Sequence, residues 1–212
     1  MIPSGTRFIG IADSVDLTER KSAGLNAETQ PYTIEDIKGY KVFTALLTQS
    51  GGDNPASIIN QPLIIGTTYS ISEADIPNVL GDFTNVGAPN NEIGTYFIAT
   101  GTTPNSWGTN ISLSYNAGAP VVNVLENTIG NVWFTYYAEG RYLIISDALF
   151  TENKTILFAS SMNNGNDTNN HTATVYTNAP DELSFISWGN TGDNYAELDN
   201  SIPLPIEIRV YS

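Results

Sequence analysis

From Tyr40 to the end, apolar and polar positions alternate in short runs separated by Gly, Asn, Asp or Pro. The period of two predicts β-strands rather than helices. "YKVFTALLTQ" reads as a strand rich in β-formers, closed by the turn "SGGDNP". "QPLIIGTTYSIS" predicts two short strands broken at Gly66, and "GTYFIATG" and "ISLSYN" predict two more. "PVVNVLEN", "NVWFTYYAEG", "RYLIISDALF", "TILFASS", "TATVYT", "LSFISWG" and "IEIRVYS" follow at intervals of roughly 8–15 residues, the spacing of a sandwich or barrel rather than of βαβ units. The fold class expected is all-β: two small antiparallel β-sandwich or jelly-roll-like modules behind a short, partly helical N-terminal arm.

Residues 1–38 depart from this pattern and hold half of the chain's eight basic residues. "DLTERKSAGLN" offers Asp16 as a helix cap, and "TIEDIKG" pairs Thr33 with Asp36 in a weakened capping box ending at Gly39. Such a segment has too little apolar surface to fold alone. It is either an arm that packs on a neighbouring subunit or scaffold, or a lead-in packed on its own domain.

An internal echo sets the expected boundaries of the rest. "GGDNPASIIN" (51–60) resembles "NAGAPVVNVLEN" (116–127), aligning Pro55 with Pro120. Residues 57–118 are therefore expected to form a small module inserted at a loop tip of a discontinuous sandwich made of 39–56 and 119–212.

Charge narrows the partners. Eight Lys and Arg against 22 Asp and Glu give a net charge of −14, and charged residues are only 14% of the chain. No cationic stripe is available for a phosphate backbone, which argues against nucleic acid, and repulsion argues against anionic lipid. The absence of cysteine removes disulfides, thiolate metal sites and cysteine nucleophiles. The N-terminus lacks a signal-peptide pattern and no apolar run approaches a membrane span, so a soluble product made in a cytoplasm is expected.

Candidate chemistry is sparse. The one histidine, His171, sits in "NNGNDTNNHT", which reads as an exposed loop, and no serine occupies a Gly-x-Ser-x-Gly elbow. Paired carboxylates (Glu35 with Asp36, Asp181 with Glu182, Glu197 with Asp199) fall in turn-like sequence and leave a glycan hydrolase as the last-ranked reading. "NNGNDTNN" (163–170) and "GNTGDNYAELDN" (189–200) are rich in oxygen ligands but lack the spacing of a calcium-binding helix-loop-helix, and turns are the favoured reading. No metal or cofactor is predicted.

The segment "GDFTNVGAPNNEIGTYFIATGTTPNSWGTN" (81–110) spaces its glycines six or seven residues apart, which suits successive β-turns and not a phosphate cradle. Its aromatics, Phe83, Tyr96, Phe97 and Trp107, are expected to alternate between core and surface. An exposed Trp107 or Tyr96 would suit stacking on a sugar ring, although a module of this size needs its large aromatics inside.

The same segment carries a resemblance. "TYSISEADIPNVLGDFTNVGAPNNEIGTYFIATGTTPNSW" is similar to a β-module of virion proteins from tailed bacteriophages of Bacteroidota, with the core "DFTNVGA…N…G..F.ATGTTP..W" matched at 82–107. "GTRFIGIADSVDLTERKSAGLNAETQPYTIEDI" resembles the N-terminal region of structural proteins of crAss-like and related phages, and "NVLENTIGNVWFTYYAEGRYLIISDALFTENKTI" looks like a third phage-associated β-module. The resemblance implies a non-enzymatic virion component: a head fibre, capsid decoration protein or tail appendage, often a homotrimer. It implies that the arm (Arg7, Phe8, Leu17, Arg20, Tyr32 and Ile34) anchors to the major capsid or another virion protein while the β-modules project outward. The second reading is a tail-associated module that binds a receptor or host-surface glycans through Trp107, Tyr96 or the 163–171 loop.

Overall fold

In "YKVFTALLT" every second side chain from Phe43 to Leu47 is apolar, and these residues build a central strand with Phe43, Ala45 and Leu47 buried on one face. The structure is a computed structural model that describes residues 39–75, 78–159, 172–179, 181–188, 195, 197–198 and 202–211. The arm residues Arg7, Phe8, Leu17, Arg20, Tyr32 and Ile34 lie outside the described residues, as do His171, the 163–170 run and the pair Glu35 and Asp36.

In chain order the strands are β1 (Tyr40–Thr48), β2 (Pro55–Ile58), β3 (Thr68–Glu73), β4 (Tyr96–Ile98), β5 (Ile111–Asn116), β6 (Val121–Asn127), β7 (Val132–Ala138), β8 (Arg141–Ser146), β9 (Thr155–Ala159), β10 (Thr172–Ala179), β11 (Glu182–Trp188) and β12 (Leu204–Tyr211). They form three four-stranded sheets, ordered β6-β1-β12-β9, β10-β11-β8-β7 and β2-β5-β3-β4. Every pairing is antiparallel, so the described chain is all-β and sandwich-like. Among the described residues no helix is long and apolar enough to cross a membrane.

Two hydrophobic cores result. The first joins the inner faces of two sheets: Phe43, Leu47, Ile206 and Ile208 from the β1 side, Phe134, Ile144, Leu183 and Phe185 from the β8 side. The rings of Phe43 and Phe134, 6.0 Å apart, bridge the layers. The second lies on one face of the β2-β5-β3-β4 sheet, where Tyr69, Ile71, Phe97, Ile111 and Leu113 meet Leu63, Phe83, Val86 and Ala88 from the connecting segments.

The chain leaves the first sheet at Thr48 and re-enters it opposite that residue, at Val121. Between these points β2 and β5 pair with Pro55 opposite Asn116, so the outgoing and returning strands are hydrogen-bonded neighbours. The Asn116 side chain ties this neck by accepting from Asn54 N at 3.1 Å and donating to Asp53 at 2.8 Å. Residues 39–212 nevertheless form one compact unit. Hydrogen bonds between the two cores include Val122 N to Gly66 O at 2.8 Å and Phe134 N to the Thr68 hydroxyl at 3.3 Å.

Local structure departs from expectation in three places. "QPLIIG" is not a strand; Pro62 has no N–H for a ladder, and Leu63 N and Gly66 N bond individually to Thr102 O and Ala99 O. β2 was not expected from the short "PASI", and it carries the division between residues 56 and 57 within it. "TNV" (Thr84–Val86) is a single 3₁₀ turn ended by Gly87 at φ 109°, where a Cβ would lie 2.5 Å from Ile98 O.

Candidate functional site

The 81–110 segment is held by side chains that cap its own backbone. Asp82 Oδ1 accepts from Thr84 Oγ1 at 2.6 Å and Thr84 N at 3.1 Å, while Oδ2 accepts from Asn105 Nδ2 at 2.9 Å. The Thr84 hydroxyl, then the Asn105 amide and the Thr84 N–H, stabilise the carboxylate and pull the Asp82 pKa down from 3.8 to about 2. Asn91 accepts from Phe83 N at 2.8 Å, and Asn85 both donates to Thr103 O and accepts from Asn105 N, each at 2.9 Å. The Asn-rich turns are thus a polar lattice over an aromatic core. Gly108, at φ 69°, passes so close to Val79 that a Cβ would sit 2.1 Å from its carbonyl oxygen.

Trp107 is partly buried, with its ring edge-on to Phe83 at 5.5 Å and 89°. Its indole closes the second core. Tyr96 is 39% exposed and stacks on Trp133 of β7, with centroids 5.5 Å apart and planes 8° apart. The two residues expected to stack on a ligand are therefore apart in role: Trp107 packs inward, and Tyr96 covers Trp133 at the junction of the cores. The indole N–H of Trp133 is buried and has no hydrogen-bond partner among the described residues.

A second aromatic surface lies on the outer face of the β10-β11-β8-β7 sheet. Phe134 and Tyr136 of β7 point into the first core, so Thr135 and Tyr137 lie on the opposite face by alternation, where Trp133 is buried under Tyr96. Leu143 and Arg141 of β8 lie beside Ser184 and Ile186 of β11 on this face. Tyr137 is 60% exposed, and the Arg141 guanidinium carbon sits 4.7 Å from its ring centre and 5.7 Å from that of Tyr195. Tyr137, Arg141, Leu143, Ser184, Ile186 and Glu182 outline a shallow groove of about 250 Å³. Of the groove residues only Glu182 was singled out from sequence, as the carboxylate paired with Asp181. Alternation in "NVWFTYYAEGRYLIIS" shows two faces, but both carry aromatics.

A larger hollow of about 380 Å³ lies between the cores, lined by Leu46, Ile65, Ile98 and Val122 among others, with no charged side chain. Deeper still, the Tyr142 hydroxyl donates to Gln49 Oε1, and Leu198 N donates to both at 3.1 Å. Burial pushes the Tyr142 phenol well above its ordinary range, so it stays neutral and acts as a hydrogen-bonding strut. Among the described residues no group of three or more His, Cys, Asp or Glu could hold a metal ion.

No protein-family model, curated protein or solved structure gives a significant match to the chain.

Proposed function

We propose that this chain is a non-enzymatic structural protein of a tailed-phage virion, of the head-fibre or capsid-decoration kind, anchored by residues 1–38 and presenting the β-body outward. The observation that carries the reading is how the 82–107 pattern is used. Its Asp82 ties three turns, Phe83 and Phe97 are fully buried, Gly87 makes the positive-φ stop and Trp107 closes the core. A sequence pattern whose residues build a module, rather than furnish a reactive centre, suits a scaffold unit reused among virion proteins. The homotrimer implied by the resemblance belongs to the same proposal, and it predicts stability that rises with protein concentration.

Co-sedimentation with purified phage particles tests this. Protein lacking residues 1–38 is expected to lose binding while keeping the β circular-dichroism signal of the full chain. Arg7→Glu with Arg20→Glu in the full-length protein should weaken binding in the same direction. Full particle binding by both variants would sink the attachment reading.

A further inference from the structure

We infer that copies of this chain meet through the outer face of the β6-β1-β12-β9 sheet at its β9 edge, with Ile156, Phe158, Glu207 and Arg209 at the centre of the contact. The inference rests on the homotrimer reading above and deepens it, since that reading names no surface.

The register assembles the face. On β12 Leu204, Ile206, Ile208 and Val210 are buried, so Glu207 and Arg209 point to the other side of the sheet. Phe158 lies opposite Glu207 and Ile156 opposite Arg209, which puts both on that same side, where they are 47% and 44% exposed. The Arg209 guanidinium carbon sits 4.8 Å from the ring centre of Tyr40 and 5.1 Å from that of Phe158, in a row that crosses β1, β12 and β9, and its Nε pairs with Glu207. Among the described residues β9 has β12 as its one strand partner, and "TILFA" carries none of the charges, prolines or bulges that guard a sheet edge. Exposed aromatic and aliphatic side chains around an arginine have the composition of an interface centre.

Charge selects a second copy as the occupant. Residues 39–212 carry 16 of the 22 acidic residues but only four of the eight basic ones, so two copies repel over most of their surface. Three of those four bases gather at this end of the sheet: Arg209 itself, Lys41 opposite Val210, and Lys154, whose carbonyl oxygen accepts from Tyr211 N at 2.9 Å. Set against Glu152 and Glu207, they bring the corner close to neutrality. Glu207 and Arg209 stand two residues apart on one face, about 7 Å along the strand. A wholly acidic partner would be repelled by the first and a wholly basic one by the second. Another copy brings both charges, so Arg209 of each can pair with Glu207 of the next. Around a three-fold axis these exchanges close a ring, with Ile156 and Phe158 packed inside it.

Sedimentation velocity of the full-length protein over a concentration series tests the surface. Wild type is expected to pass from monomer to trimer as concentration rises, and Phe158→Glu and Ile156→Glu should each raise the concentration of half-association roughly tenfold or more, as loss of a central anchor does. Phe158→Leu keeps an apolar side chain and should still associate. Val79→Glu puts the same charge on a side chain that is 62% exposed beside Thr109, and it should associate like wild type. Circular dichroism should show the same β signal in all four variants. A trimer that survives both Phe158→Glu and Ile156→Glu overturns this surface and leaves the homotrimer reading standing, and equal weakening by Val79→Glu does the same. A wild-type dimer broken by Phe158→Glu supports the surface and overturns the three-fold arrangement. Wild type that stays monomeric at every concentration overturns both the surface and the homotrimer.

Discussion

The two cores reach close packing by different routes. The first is two sheets face to face, and burial alternates along its strands as on β12, where Leu204, Ile206, Ile208 and Val210 are buried in turn. The second has a single sheet, with strands as short as the three residues of β4, and its far side is closed by Phe83, Val86 and Ala88 from turns. What replaces the second sheet is a set of side-chain-to-backbone hydrogen bonds from Asp82, Asn85 and Asn91, with Asn105 bonded to the Asp82 carboxylate. The difference shows two solutions to one problem, since turn backbone beside a core must find partners that a sheet ladder would otherwise supply.

The largest effect expected is from emptying either core. Phe134→Ala and Phe83→Ala each remove a fully buried ring and should each cost about 3–5 kcal/mol. Native-state hydrogen exchange will separate them: Phe83→Ala should speed exchange first in β3 and β5, and Phe134→Ala throughout β1, β8 and β12. Equal acceleration of β5 and β12 by Phe83→Ala would mean that the two cores open as one. A smaller loss, about 1–2 kcal/mol in urea unfolding, is expected for Tyr142→Phe, because Leu198 N keeps Gln49 as a partner.

The subtlest test is pH. The Asp82 carboxyl titrates at about 2 in the folded chain against an ordinary 3.8. A depressed carboxyl contributes stability that is fully present above its unfolded value and is lost as pH falls through the folded one. Denaturant melts between pH 5 and pH 2 should therefore show a falling stability that Asp82→Asn flattens. The same slope in wild type and variant would remove Asp82 from the lattice that distinguishes the second core.

Much of the fold was legible in the sequence because burial on one face of a strand writes itself as alternation. β1 and β12 are examples, and Gly, Asn, Asp and Pro in the connecting segments mark strand ends. "QPLIIG" misled because its apolar run has the composition of a strand, yet Ile64 and Ile65 are more than half exposed, at 58% and 57%. β2 was missed because a four-residue strand with one partner has no periodicity to read.

The candidate site was less legible. Sequence alone determined that Trp107 and Tyr96 belong to a glycine-punctuated β-segment and that Phe134 and Tyr136 face away from Trp133. It did not determine which of those faces is solvated, because alternation is symmetric and both faces of β7 are aromatic. Packing against Phe43 and its neighbours decided that, burying Phe134. Tyr137, one residue past Tyr136 and so on the opposite face, is left exposed beside Arg141. Local pattern sets the two faces of a strand; only the long-range partner that removes one face from water assigns them.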